Sequence, residues 1–366
     1  MNQTLTVIGI GKLGLSVALT FEKSGFDVIG IDLNEKYVNN LNKKNFNSYE
    51  PYVNEYLQNS KNFKASTNLD EGLNHSNYIF ILVDTPNSGG ENFYDHTKLS
   101  KLLIEINKRK VSNKKIIICS TVMPTYINNI ASLLLKDCVN TTLIYNPEFI
   151  AQGSIIKNLL NPDMVLIGCE DINIANEIKD IYSKLVENKP EYSIIPILDA
   201  EIVKLSLNAY ICTKISFANM ISDLCDKVNA DKYKVLNAIG KDKRIGNKYF
   251  NPGNSYGGPC FPRDTEAIRI FMQKNNIDFS ILNSVKNYNN LHSEILGKKL
   301  LKENKDEYVF DSVCYKPKSK IPIIEESATL KIAKYLALNG KKVIIKDDPH
   351  LQELVKMKFG NLFYYD

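Results

Sequence analysis

Apolar positions follow two rhythms along this chain. Up to about residue 195, short unbroken apolar runs alternate with stretches whose apolar residues recur at helical spacing. The runs are residues 4–10, Val28–Asp32, Tyr78–Val83, Lys115–Cys119, Thr142–Tyr145 and Met164–Ile167, and a helical pattern follows the first to about Lys23. Unbroken runs mark strands covered on both faces, and their alternation with helices predicts a doubly wound parallel α/β sheet, Rossmann-like in form. From Asp199 the rhythm changes. Ala200 to about Asn229 reads as one long helix, carrying Ile202, Val203, Leu207, Ile211, Ile215 and Met220. Helical pattern continues, breaks in the Gly/Pro/Asn-rich stretch Gly246–Pro262, and resumes from Asp264 towards Asn304. A strand–helix–strand pattern closes the chain: Tyr308–Cys314, a helix around Ser327–Asn339, then Lys342–Lys346. Three domains are therefore expected, over residues 1–195, 196–304 and 305–366, since 366 residues exceed one ordinary core.

Composition alters this picture little. The chain is 44% hydrophobic and 24% charged, with a formal net charge of +5 and no Trp. That mild positive balance suits an anionic small molecule or a plain lysine-rich surface. No basic run with interleaved aromatics argues for nucleic acid. The start, Met1 to Gly9, runs straight into a strand without a signal-peptide pattern, and no apolar run approaches the roughly 20 residues that span a bilayer. Seven cysteines without framework spacing favour a reducing cytoplasm. Six (Cys119, Cys138, Cys169, Cys212, Cys225, Cys314) sit in apolar or helical contexts and read as small core residues. No metal-ligating pattern is present.

The candidate chemistry is concentrated in a few segments. Gly9-Ile10-Gly11-Lys12-Leu13-Gly14 joins a strand to a helix, the context that makes GxGxxG a nicotinamide-dinucleotide signal, with an FAD turn or a glycine turn that binds nothing as the alternatives. Gly9 permits the turn, Gly11 lets backbone approach a pyrophosphate, and Gly14 allows close helix–strand packing. Asp32 ends the second strand, where a carboxylate binds ribose hydroxyls and repels a 2′-phosphate, favouring NAD over NADP. Thr85-Pro86 and Ser120-Thr121 follow later strands, as cofactor contacts or as ordinary turns. Asn251 to Asp264 is dense in permissive residues before a helix. It contains Gly257, Gly258, Cys260 and Arg263, so Cys260 is a reactive thiolate or a thiol buried in a turn. Asp264 follows within about a turn and could orient a water. Lys204 and Asn208 share a helix face and could polarise a substrate oxygen, or could lie on a solvated surface. Glu148, in Asn146-Pro147-Glu148-Phe149, is a general base at a strand end or part of a surface turn.

Together these segments carry a resemblance over nearly the whole chain. The glycine turn, Ser120 to Pro124, Asn146 to Ser154, Asn161-Pro162-Asp163, Glu201 to Lys204 with Asn208-Ala209, Arg244-Ile245-Gly246 and Tyr256 to Asp264 closely resemble the UDP-glucose 6-dehydrogenases and related nucleotide-sugar dehydrogenases. The resemblance implies four-electron oxidation of a sugar C6 alcohol to a carboxylate with two NAD⁺ in turn, with Lys12 and Leu13 in the cofactor turn. It implies that Cys260 forms a thiohemiacetal and then a thioester. Lys204 and Asn208 would stabilise oxyanions, Asp264 with Thr121 would hold a water, and Glu148 would assist hydrolysis. UDP-sugar contacts are implied for Phe149, Ile150, Tyr249, Gly257 and Lys316, with Arg244 reaching a neighbouring subunit. A homodimer through residues 200–229 is also implied.

The chain departs from the family pattern in places. Gln152 stands where many members carry a second carboxylate. Cys314-Tyr315-Lys316-Pro317 matches the Phe-Lys signature, yet Ile324-Glu325-Glu326-Ser327 occupies the place of an arginine that helps close the site. The expected last strand and helix of the UDP-binding domain are not evident before Asp366. Cys260-Phe261-Pro262 resembles the UDP-glucose type more than the Cys-Ile-Pro form of N-acetylhexosamine enzymes. A UDP-N-acetylhexosamine or GDP-mannose dehydrogenase, a nucleotide-sugar binder with poor turnover, and a 3-hydroxyacid dehydrogenase are the other readings.

Overall fold

The computed structural model describes residues 3–89, 93–316 and 321–366; Met1, Asn2 and Pro317, covered in the sequence analysis, lie outside the described residues. Two compact units divide at Lys204/Leu205.

In the first unit the order is β1 (Thr4–Ile8), α1 (Lys12–Lys23), β2 (Asp27–Ile31), α2 (Glu35–Asn42), α3 (Val53–Asn59), β3 (Phe63–Ser66), α4 (Leu69–His75), β4 (Tyr78–Ile81), α5 (Thr97–Lys108) and β5 (Lys115–Ile118). A π-helical turn (Ile127–Ala131) runs into α6 (Ser132–Leu134), then β6 (Thr142–Tyr145), α7 (Ile155–Leu160), β7 (Met164–Gly168), α8 (Ile172–Leu185) and β8 (Glu191–Ile195). One sheet of order β3-β2-β1-β4-β5-β6-β7-β8 results. Leu15, Leu19, Phe21, Phe80, Ile178 and Tyr182 belong to one core cluster, and Ile79, Ile81, Leu99, Leu103, Ile106 and Ile127 to another. Burial on both faces is why the central strands read as unbroken apolar runs.

The α/β class and doubly wound sheet are as expected, with one correction to the parallel pattern. β6 and β7 pair antiparallel, through Tyr145 and Gly168 alone, so the β7–β8 pair runs against the rest of the sheet. The edge strands β3 and β8 carry polar, partly exposed positions (Phe-Lys-Ala-Ser and Glu-Tyr-Ser-Ile-Ile), and no continuous apolar run announces them.

The long helix α9 (Ile197–Val228) runs through the division, starting three residues before the expected Ala200 and ending where Asn229 turns left-handed at φ +59°. In the second unit come α10 (Lys232–Gly240), α11 (Phe261–Lys274), α12 (Ser280–Leu301), β9 (Glu307–Phe310), α13 (Ala328–Leu338), β10 (Lys342–Ile345), α14 (Pro349–Phe359) and β11 (Tyr364–Tyr365). The helical pattern expected from Asp264 towards Asn304 is carried by two helices: α11 starts at Phe261 and stops at Asn275, and Asn276 is left-handed at φ +56°. Strands β9–β11 form a parallel sheet of order β11-β10-β9, packed with α13 and α14 around Val313, Leu330, Leu336, Val343, Ile345 and Val355. The strand expected to reach Cys314 ends at Phe310, and β11 had no counterpart in the sequence reading.

Candidate active site

In the first unit the site begins at the glycine turn. Gly9 is left-handed at φ +88°, and a Cβ there would lie 2.8 Å from the Leu82 carbonyl oxygen. A Cβ on Gly14 would strike the Gly9 carbonyl, whereas one on Gly11 would meet no atom within 4 Å. Gly11 therefore borders open space at the N-terminus of α1, where backbone N–H groups and the helix dipole suit a pyrophosphate. The turn is held by Tyr37, whose hydroxyl donates to the Ile10 carbonyl at 2.8 Å. Lys12 leaves the turn and donates to Gln152 Oε1 at 3.2 Å; Leu13 follows it, partly buried against the core.

Strand order changes direction between β1 and β4, and ligands of open α/β sheets bind outside the strand ends at such a point. Asp32 sits just past β2, accepting the Asn34 N–H at 3.0 Å. Thr85, past β4, donates to the Thr121 carbonyl at 2.7 Å, tying the segments after β4 and β5 together beside Pro86. His96 Nε2 accepts the Met123 N–H at 3.1 Å and its ring stacks on Tyr126. That bond requires the unprotonated nitrogen, and burial pushes the His96 pKa down to about 4. Glu201, fully buried at the start of α9, accepts the Thr125 N–H at 2.7 Å and the Ile127 N–H at 3.0 Å. Burial raises its carboxyl to about 7, against the pull of those two donors.

Past β6, Glu148 is half-buried and accepts the Tyr182 hydroxyl at 2.8 Å. Burial raises its pKa to about 7, with the Tyr182 bond and the Lys204 charge acting in the opposite direction. Lys204 is buried, not solvated: its Nζ donates to the Glu148 carbonyl at 2.9 Å and lies 4.9 Å from the centre of the Phe149 ring. Ile150 packs against the core as the chain leaves this turn. Glu50, also buried, accepts the N–H groups of Gly153 and Ile155 at 2.9 and 2.8 Å and fixes the loop beyond.

In the second unit Asn208 is buried and donates to Asp264 Oδ2 at 2.5 Å; Asp264, 2% exposed, lies in the first turn of α11. Cys260 is the N-cap residue of α11 and is exposed, while the other six cysteines are buried. The N-terminus of a 14-residue helix is an environment that stabilises a thiolate. Cys212 contrasts with it: burial pushes its thiol up to about 12, with Thr265 as hydrogen-bond donor.

The stretch leading to Cys260 is held by side chains from α9 and α12. Asn219 accepts the Gly253 N–H and donates to the Asn254 carbonyl, both at 3.1 Å. Asn289 accepts the Tyr256 N–H at 2.8 Å and donates to its carbonyl at 3.0 Å. Ser255 donates to the Asn289 carbonyl at 2.6 Å, and His292 bridges the Gly253 carbonyl and Asp223 Oδ2 at 2.8 and 2.7 Å. Gly258, left-handed at φ +82°, donates to the Glu325 carbonyl at 3.1 Å. A Cβ on Gly257 would strike the Glu326 carbonyl, so the Glu325-Glu326 segment where an arginine was expected packs directly on the cysteine loop.

Of the remaining sequence candidates, Tyr249 is exposed in a left-handed conformation and sets its ring edge-on to Phe261. Arg244 is exposed and paired with Asp242 at 2.7 Å, and Lys316 is exposed. Tyr37, Glu50, His96, Tyr182, Asn219, Asn289 and His292 escaped the sequence reading, and Glu201 entered it only as part of a motif, without a role. They hold functional segments from a distance, and a lone polar residue in an apolar stretch was the only signal available.

The turn, Asp32 and the switch point define a dinucleotide-binding α/β protein. Residues 3–186 match the NAD binding domain, and residues 198–291 the central domain, of the UDP-glucose/GDP-mannose dehydrogenase family. The chain belongs to that family, and NAD is its cofactor. A UDP-glucose 6-dehydrogenase of Rickettsia bellii is 32% identical over 77% of this chain, and that match spans 65% of the relative's own length. A UDP-glucose 6-dehydrogenase of Bacillus subtilis is 32% identical over 81% of this chain and 68% of its own. A solved UDP-glucose dehydrogenase of Pyrobaculum islandicum is 26% identical with a TM-score of 0.88, covering 100% of this chain and 86% of that one. Among the described residues no helix is long and apolar enough to cross a membrane, and no group of His, Cys, Asp and Glu could hold a metal ion.

Proposed function

We propose that the chain oxidises UDP-glucose to UDP-glucuronate, a four-electron reaction at the sugar C6 that passes through a covalent bond to Cys260. The observation that carries this reading is the exposed Cys260 capping α11, one turn from the buried Asn208–Asp264 pair. A dehydrogenase that released its aldehyde would have no use for such a thiol.

NAD, when bound, supplies the hydride acceptor for each oxidation. The chain's residues do the rest. The hydroxyl proton leaves the C6 oxygen for bulk water as the C6–H bond breaks with its electron pair going as hydride to that acceptor, and Lys204 with Asn208 stabilises the oxygen as it gains negative charge. The Cys260 thiolate then adds to the aldehyde carbonyl, forming a thiohemiacetal that is oxidised to a thioester. Water, oriented by Asp264 and Thr121, attacks that thioester while Glu148 takes its proton. The C–S bond breaks and the thiolate is restored. Gly9, Gly11, Lys12, Leu13, Gly14, Asp32, Thr85, Pro86 and Thr121 hold the cofactor in this reading. Phe149, Ile150, Tyr249, Gly257 and Lys316 hold the UDP-sugar, with Arg244 offered by a neighbouring subunit.

Residues 1–195, 196–304 and 305–366 act as cofactor, central and nucleotide domains. The α9 surface supports a homodimer: Tyr210, Phe217, Met220, Leu224 and Val228 are exposed along it. An enzyme working through a reduced thiol suits the cytoplasm.

Counting NADH formed per UDP-glucose consumed tests the reading. Two equivalents are expected for the native protein, and Cys260→Ser should lose steady turnover by about a thousandfold or more with the intermediate stalled. Normal two-step oxidation by the serine variant, or no NADH from UDP-glucose while a UDP-N-acetylhexosamine is turned over, would sink it.

A further inference from the structure

Beneath Glu148 lies a hydrogen-bond chain that the reaction outlined above does not use. Tyr182, on α8 and 3% exposed, places its hydroxyl 2.7 Å from Asn146 Oδ1 and 2.8 Å from Glu148 Oε1. Asn146 is 1% exposed, and its Nδ2 donates to the Leu166 carbonyl at 2.8 Å. Leu166 O can only accept, so the amide is fixed with its oxygen towards Tyr182. One phenolic proton thus faces two acceptors.

The two protonation states of Glu148 place that proton differently. With Glu148 ionised, the phenol donates to the carboxylate and Asn146 Oδ1 loses its donor. With Glu148 protonated, the carboxyl donates to the phenolic oxygen and the phenol donates to Asn146, so every group is satisfied. We propose that Tyr182 is the positioning residue for Glu148, and that its hydroxyl proton moves between Glu148 and Asn146 as the carboxyl loses and gains a proton. The proposal rests on the reading of Glu148 as the base for thioester hydrolysis.

In that step a water O–H breaks, its proton goes to Glu148, and its oxygen bonds to the thioester carbon as the Cys260 thiolate departs. The phenol then turns to Asn146 and accepts from the new carboxyl O–H, so no buried acceptor is stranded by the proton's arrival. Proton loss from Glu148 to bulk water reverses the turn, and the acid product loses its own proton to bulk water. A base that must both hold and release a proton near neutrality needs its two states close in energy. The shared phenol supplies this. It gives a charge-assisted bond to one state and a complete network to the other.

Few other titratable groups face the carboxyl. From α9, Lys204 favours the ionised form while its Nζ bonds the Glu148 backbone carbonyl. From the end of β5, Cys119 is buried and held neutral, its thiol raised well above the ordinary range by burial and then by the Glu148 charge. Tyr182 itself is raised well above its ordinary value, burial first and the Glu148 charge second, so it stays a donor throughout.

The two neighbours of the phenol therefore predict opposite shifts. Tyr182→Phe removes the donor to the carboxylate, and Asn146→Leu removes the competing acceptor. The carboxyl stretch of Glu148, assigned by its loss in Glu148→Gln, would be titrated by infrared spectroscopy in the full chain. Its midpoint should rise by about one pH unit in Tyr182→Phe and fall by a similar amount in Asn146→Leu. A midpoint unmoved by Tyr182→Phe, or moved the same way by both substitutions, overturns the proposal. Should Asn146→Leu not fold, the isosteric phenylalanine variant decides alone: a rise supports the switch, and no rise overturns it. The acid limb of thioester hydrolysis is followed in the same variants. Infrared shifts without a matching movement of that limb leave the switch standing and remove Glu148 as the base.

Discussion

The glycine turn after β1 and the cysteine loop before α11 both hold backbone at the N-terminus of a helix, yet they are built by opposite means. The turn is almost wholly backbone: Gly9 and Gly14 are required because a Cβ on either would strike neighbouring main chain. The Tyr37 hydroxyl anchors it at the Ile10 carbonyl, and Ser16 bonds the Lys12 carbonyl from within α1. The cysteine loop has glycines too, but Asn219, Asn289, Ser293 and His292 bolt residues 253–256 onto α9 and α12. A pyrophosphate asks only for N–H groups and a dipole, which any chain supplies when it turns tightly enough. A nucleophile must be aimed, and that takes side chains reaching in from elsewhere.

The largest effect expected from this contrast is at the turn. Gly9→Val would place a branched side chain at φ +88° against the Leu82 carbonyl. NAD affinity, measured by calorimetry, should fall by about a hundredfold or more with some loss of stability, each 1.4 kcal/mol being tenfold. Retained NAD binding with intact fold would show that the turn is not the cofactor cradle.

Asn289→Ala is expected to do something different and smaller. It removes both bonds to Tyr256 from a residue 3% exposed, stranding a buried N–H and C=O at about 1–3 kcal/mol of stability. NAD binding should be untouched, while kcat falls about tenfold because a slightly misplaced thiol reacts slowly. A variant as active as the native protein would mean that the loop is rigid without Asn289. A variant that lost NAD affinity would break the contrast between the two regions.

The same contrast explains what could be read from the sequence. β1, β2 and the helix after Gly14 announce themselves because their signals are local: an apolar run, glycines at fixed spacing, a carboxylate at a strand end. Cys260, Asp264, Lys204 and Asn208 stood out as residue types in a recognisable order. Lys204 alone could not be told from a solvated lysine, since its burial against the Glu148 carbonyl and the Phe149 ring depends on contacts more than fifty residues away. His292 and Asn289 on α12, and Glu50 in the bend before α3, are remote in sequence from the loops they hold, and no spacing rule connects them. The edge strands β3 and β8 were missed for a related reason: half-exposed strands do not carry the unbroken apolar run of a central strand.

Glu201 sharpens the comparison, because it is a side-chain anchor within the same unit as the backbone-built glycine turn. It grips Thr125 and Ile127, downstream of Thr121, and Thr125 is itself left-handed at φ +77°. Its carboxyl is raised to about 7 by burial, so between the unfolded value near 4.5 and about 7 the folded chain binds its proton more tightly than the unfolded chain does. Stability then falls as pH rises through that window, by at most about 3 kcal/mol from this group, and levels off above it. Glu148, raised in the same direction, adds a slope of the same sign. Glu201→Gln cannot ionise and should flatten part of that slope. Its amide also turns a donor towards one of the two N–H groups, costing about 1–2 kcal/mol at every pH. Urea denaturation at pH 5 and pH 8 should therefore show the variant clearly less stable than the native chain at pH 5. At pH 8, where the native carboxylate bears its full burial cost, the gap should be narrower. An equal gap at both pH values would place the Glu201 titration in the ordinary carboxylate range and leave its two backbone bonds as a fixed clamp on the Thr121 segment.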